Sequence, residues 1–120
     1  RVIDEPRIQM MLAEVDAKVE VLKLMNWKQA WNMANGTFDY AEASTIKVYG
    51  SELYIEGYHV LLNVLGQAGY LRRDSEGAVL KGKVERMYRG MLVLTFGAGA
   101  NEIQRDIISV AGLGMPRPLR

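Results

Sequence analysis

Residues 97–108 read Gly-Ala-Gly-Ala-Asn-Glu-Ile-Gln-Arg-Asp-Ile-Ile, and how this stretch is parsed decides the fold. Gly97 and Gly99, one residue apart, make a poor helix interior because glycine loses the most backbone freedom on ordering. Asn101 and Glu102 follow directly, and then Ile103, Ile107, Ile108 and Ala111 recur at helical spacing. The stretch therefore predicts a flexible corner that opens a last helix over about residues 100–111. The first turn of such a helix presents unpaired N–H groups and the positive end of a dipole, which suits a polar or anionic group.

Working back from that corner, residues 83–95 predict a shorter helix. Residues 71–82, with Arg72, Arg73, Asp74, Glu76, Gly77 and Gly82, predict a surface loop. Before the loop, Asp39 with Glu42 three residues on has capping-box spacing. The helix it starts carries Ile46, Leu53, Val60, Leu61 and Val64 and ends at Gly66 and Gly69. Gly50 and Gly57, seven residues apart, are small enough to let a neighbouring helix approach closely. Earlier still, Asp4 and Pro6 are helix-start residues. Ile8, Leu12, Val15, Val19 and Leu22 alternate steps of four and three, the seam of a long bundle helix. Trp27 and Trp31 extend an apolar face, and Asn35-Gly36 is a stop. No segment alternates as a strand would. The fold class expected is all-α, an antiparallel up-down bundle of four helices, two long and two short.

Composition narrows the function. At 120 residues the chain has the size of one domain. Hydrophobic residues at 49% and charged ones at 24% exclude a disordered chain, and no apolar run approaches the length of a membrane span. A net charge of +1 leaves no electrostatic case for nucleic acid or an anionic membrane. The absence of cysteine removes disulfides and thiolate metal sites and suits a cytoplasmic location. His59, the lone histidine, makes a weak metal ligand. No phosphate loop of Walker type, nucleophile elbow or zinc spacing occurs.

Read whole, residues 97–116 (GAGANEIQRDIISVAGLGMP) resemble the C-terminal signature of the acyl-CoA dehydrogenases, a GGT-N/S-E-I-Q-R run with a G-L-G-x-P tail. Three other segments are similar in the same order. Ala41–Lys47 (AEASTIK) resembles the opening of that family's long central helix, and Val64–Tyr70 (VLGQAGY) its L-G-G-x-G-F/Y turn. Tyr88-Arg89-Gly90 falls where many members carry an arginine. The resemblance implies that residues 1–120 form the C-terminal helical bundle domain of a longer protein. On that reading the helical N-terminal domain, the β domain and the first bundle helix lie outside the chain, in keeping with its opening on Arg1 rather than methionine. It further implies FAD as cofactor, α,β-dehydrogenation of an acyl-CoA thioester by the parent, and inactivity of the isolated piece. Expected partners are the other subunits of a dimer or tetramer and an electron-transferring flavoprotein as electron acceptor.

The resemblance also nominates residues. Flavin contacts are expected at Asn63, Gly66, Gly99, Ala100 and Glu102. Asn63 stands where the family has a glutamine reaching the diphosphate of a neighbouring subunit's flavin. Gln67 replaces a glycine over which that diphosphate passes, and Ala100 replaces a hydroxyl donor. For Glu102 the competing reading is a first-turn carboxylate stabilised by the helix dipole and facing Arg105 or Asp106. No catalytic residue is expected on this chain. Many members carry the base that takes the α-proton as a glutamate at the place of Ala98, which has no proton acceptor. Two explanations stay open. The base sits on an earlier helix, as in the isovaleryl and long-chain branch, or the parent is a non-catalytic scaffold subunit of a hetero-oligomeric dehydrogenase. Arg89 and Arg105 are expected in structural salt bridges. Trp27, Trp31, Tyr49, Tyr54, Tyr58 and Tyr88 are expected in the core or at subunit contacts.

Overall fold

The computed structural model describes residues 1–117, which form four α-helices and no strand among the described residues. These are α1 (Pro6–Ala34), α2 (Tyr40–Leu65), α3 (Lys83–Met91) and α4 (Asn101–Ile107). Tight 3-10 turns at Val2–Asp4, Gly66–Tyr70, Val79–Gly82 and Leu92–Thr95 join or extend them, and a π turn at Ile108–Gly112 continues α4. The fold class is the one the apolar periodicity predicts.

The helix ends follow local chemistry. Pro6 opens α1, where a missing N–H costs nothing. At its other end Gly36 adopts φ +74°. The Thr37 N–H reaches back to the Asn32 carbonyl at 2.9 Å and the Gly36 N–H to Met33 at 3.1 Å. This pair of bonds closes a Schellman cap on Gly36. The Asp39 carboxylate accepts the N–H groups of Ala41 (2.8 Å) and Glu42 (3.3 Å), capping α2. Only half of the expected capping box forms, because the Glu42 carboxylate turns to Lys28 Nζ and Asn32 Nδ2, each at 2.6 Å.

The chain divides into two compact units. The first holds Arg1–Val19 and Leu53–Val93, the second Glu20–Glu52 and the described residues from Leu94 onward. In the first unit Ile8, Leu53 and Leu62 are buried, and Leu62 has the largest fully buried side chain among the described residues. Lys18 Nζ bonds Glu56 and Glu14, which hold its pKa above the ordinary lysine value. Gly82 (φ +62°) sits against the 71–73 backbone so tightly that a Cβ there would lie 2.5 Å from the Arg73 nitrogen. The predicted surface loop is therefore closed on itself by that glycine.

In the second unit the buried face of α2 is Ala41, Ser44, Val48 and Ser51, at steps of three, four and three, with Asn101 of α4 also buried. These small and polar positions escape a search for large apolar residues, which is why the predicted seam on α2 missed them. Gly50 and Gly57 do face α1, each within its own unit. A Cβ on Gly50 would meet Leu22 at 3.5 Å, and one on Gly57 would meet Val15 at 3.7 Å. Both are ordinary contacts, so neither glycine is required by close approach. Partners on α2 fall in number as those on α1 rise, within each unit, so the two long helices run antiparallel.

Candidate functional site

The nominated residues divide between the two units. In the first, Asn63 lies on the last turns of α2, exposed, its amide oxygen accepting from Tyr70 Oη at 3.2 Å. Gly66 follows with φ +62°, and a Cβ placed on it would meet nothing within 4 Å. Gln67, next to it, is exposed. This end of α2 thus offers one bare left-handed residue, Gly66, close in sequence to an amide side chain.

In the second unit the predicted corner is formed by Ala98 (φ 55°) and Gly99 (φ 99°), both exposed, and Ala100, the N-cap of α4. A left-handed alanine is uncommon and costs about 1–2 kcal/mol. A Cβ on Gly99 would lie 2.6 Å from Gln104 Nε2, so the glutamine amide folds under the glycine. Ala100 supplies no side-chain cap, and the first-turn amides of α4 are left to whatever lies outside the corner. Glu102 is exposed and makes no ion pair among the described residues. It does not turn to Arg105, whose guanidinium instead pairs with Glu52 of α2 at 2.5 Å.

Beneath the corner lies a polar cluster that sequence reasoning missed. Lys47 Nζ donates to the Gly99 carbonyl at 2.6 Å and to Asn101 Oδ1 at 2.5 Å. Asn101 Nδ2 donates to Ser51 Oγ at 3.0 Å and to Glu52 Oε1 at 3.4 Å. Asn101 is 3% exposed and Ser51 6%, so these are buried, mutually satisfied groups. Lys47, Ser51 and Glu52 lie within two turns of α2, but only the tertiary structure reveals that they meet Asn101.

The other singled-out residues take structural places. Arg89 pairs with Glu85 one turn earlier on α3. The His59 ring stacks loosely on Tyr88, centroids 6.1 Å apart, and no metal-holding cluster exists among the described residues. Tyr58 Oη reaches the Met87 sulfur at 3.6 Å. Trp27 and Trp31 are 73% and 66% exposed, so the core alternative fails for both. Together with Val21 and Leu24 they form an apolar stripe on the solvent side of α1 in the second unit.

A family model described as "Acyl-CoA dehydrogenase, C-terminal domain" matches residues 1–113. The chain belongs to the acyl-CoA dehydrogenase family. Its sequence is 52% identical to acyl-CoA dehydrogenase FadE26 of Mycobacterium tuberculosis, over all of this chain and 31% of that relative. Among solved structures, a chain of the ChsE4-ChsE5 complex from the same organism superposes with a TM-score of 0.87 at 52% identity, covering 98% of this chain and 30% of that one. A chain of the Tcur3481-Tcur3483 steroid ACAD gives 0.89 at 41% identity, with 98% and 30% covered. This acyl-CoA dehydrogenase domain thus spans under a third of the relatives it matches.

The family implies FAD, and the residues present fit it. The open backbone at Gly66 leaves room for close approach of a flat or anionic group. The uncapped amides after Ala100 are hydrogen-bond donors of the type a flavin's carbonyl and phosphate oxygens accept. Among the described residues no helix is long and apolar enough to cross a membrane.

Proposed function

We propose that the chain is the flavin-facing and subunit-facing domain of an FAD-dependent acyl-CoA dehydrogenase acting in the cytoplasm on a bulky acyl-CoA of the steroid type. The observation that carries this reading is the corner at Ala98–Glu102. A family signature there coincides with an uncapped helix start and two left-handed residues. Asn63 and Gly66 in the first unit would contact one flavin, that of a neighbouring subunit, and Gly99, Ala100 and Glu102 in the second unit would contact another, each unit taken by itself as a half-site. Bound FAD would accept the hydride leaving the β-carbon of the thioester. Ala98 cannot take the α-proton, so the base comes from residues beyond this chain, in the same parent or in a partner subunit. The substrate class rests on similarity to a chain named a steroid ACAD. Electrons would leave to an electron-transferring flavoprotein.

A second reading has its own support. Ala98 lacks a carboxylate, and the two solved neighbours named above carry paired names, the ChsE4-ChsE5 complex and the Tcur3481-Tcur3483 steroid ACAD. In that reading the parent completes a catalytic partner and binds flavin only with it.

Purification of the parent, alone and with its second subunit, separates these. A parent that is yellow by itself, and bleaches anaerobically with a steroid acyl-CoA, supports the enzyme. Flavin retained only by the pair supports the shared site. No flavin in either preparation refutes both.

A further inference from the structure

We propose that Lys47 is a positioning residue that sets the direction of the Gly99–Ala100 peptide and so aims the Ala100 N–H away from α2, toward the flavin side of the corner. The inference rests on the reading of that corner given above. Every peptide bond among the described residues is trans, so a carbonyl and the following N–H point opposite ways. Lys47 Nζ holds the Gly99 carbonyl at 2.6 Å on the α2 side. The Ala100 N–H must then point to the far side.

Without the ammonium this peptide has little to hold it. It turns about the ψ of a glycine, which accepts conformations closed to other residues. Its neighbour Ala98 is already in the left-handed region. The same ammonium binds Asn101 Oδ1, and Asn101 is locked by Ser51 and Glu52, so Lys47 fastens both sides of the Ala100 hinge at once. From below, Gln104 packs under Gly99 and limits the opposite movement. Ser51 differs in kind from Lys47. Its hydroxyl accepts from Asn101 and donates to the Val48 carbonyl at 3.0 Å, anchoring the cluster to α2 without touching the corner peptide.

The test uses the flavin-loaded parent assembly with Lys47→Met, Lys47→Gln and Ser51→Ala. Two readouts are taken: hydrogen–deuterium exchange of the segment around residues 97–103, and the absorption bands and reduction potential of the bound flavin. Loss of Lys47 is expected to speed exchange at the corner about ten- to hundredfold, as for a charge-assisted bond removed. It is also expected to shift the flavin bands and potential, with helical content kept. Ser51→Ala is expected to leave the bands and potential in place. Unchanged exchange in both Lys47 variants overturns the proposal. Faster exchange with an unmoved flavin spectrum overturns it too, leaving a merely structural cluster. If one Lys47 variant fails to fold, the other is read by the same criteria. A wild-type assembly without flavin sinks the reading of the corner, while the exchange arm alone still judges whether Lys47 fastens it.

Discussion

Changing single glycines to alanine should move stability in opposite directions at different places, by amounts that follow from the space around each Cα. Gly50 and Gly57 lie inside α2 with helical backbone, and the added methyl would meet Leu22 at 3.5 Å or Val15 at 3.7 Å. Neither contact requires a neighbour to move. Alanine in a helix interior is favoured over glycine by about 1 kcal/mol, so each substitution should stabilise by roughly that amount. For a domain of this size, that raises the melting temperature by roughly 3–5 °C. Gly82 is the opposite case. Its φ of +62° penalises any side chain, and a methyl would lie 2.5 Å from the Arg73 nitrogen and 2.8 Å from the Arg72 carbonyl carbon. Backbone on both sides cannot yield cheaply, so Gly82→Ala should cost more than about 2 kcal/mol. Urea unfolding of the chain, followed by far-ultraviolet circular dichroism, measures all three. A lowered midpoint for Gly50→Ala or Gly57→Ala would mean that α1 and α2 pack closer than described. An unchanged midpoint for Gly82→Ala would refute the closed loop.

Other outcomes can be checked on the same footing. Asp39→Ala removes the acceptor for two first-turn amides of α2 and should destabilise by about 1 kcal/mol; Asp39→Asn should recover most of it in the same unfolding assay. Trp27→Lys with Leu24→Glu should change stability by less than about 0.5 kcal/mol while reducing dye binding and self-association of the isolated chain, because both side chains are exposed. A loss comparable to a core mutation would contradict that placement. Lys28 is held above its ordinary pKa of 10.5 by the Glu42 carboxylate. The folded value is raised, so its contribution is complete below 10.5 and fades as pH rises through the higher folded value. The stability difference between wild type and Lys28→Met should therefore be flat near neutrality and shrink only in strong alkali. A difference that shrinks on acidification toward pH 7 would contradict the pairing.

The amino-acid sequence by itself determined where the helices start and stop. Gly36 and Asp39 act through bonds that reach only a few residues, and Gly66 through its own left-handed backbone, so their effects are legible without knowing what lies across the bundle. The signature at 97–116 likewise identified the family, since it is a contiguous pattern. The partners of polar side chains were decided only by the tertiary structure. Arg105 had acidic neighbours at hand in its own helix and pairs instead with Glu52, and Lys47 finds Gly99 and Asn101 more than fifty positions away. Such bonds depend on the register in which α4 lies against α2, where Ser51 meets Asn101 on a buried face of α2 that also holds Ala41, Ser44 and Val48. Small side chains carry almost no hydrophobic signal along the chain, yet a helix can settle closest where they are.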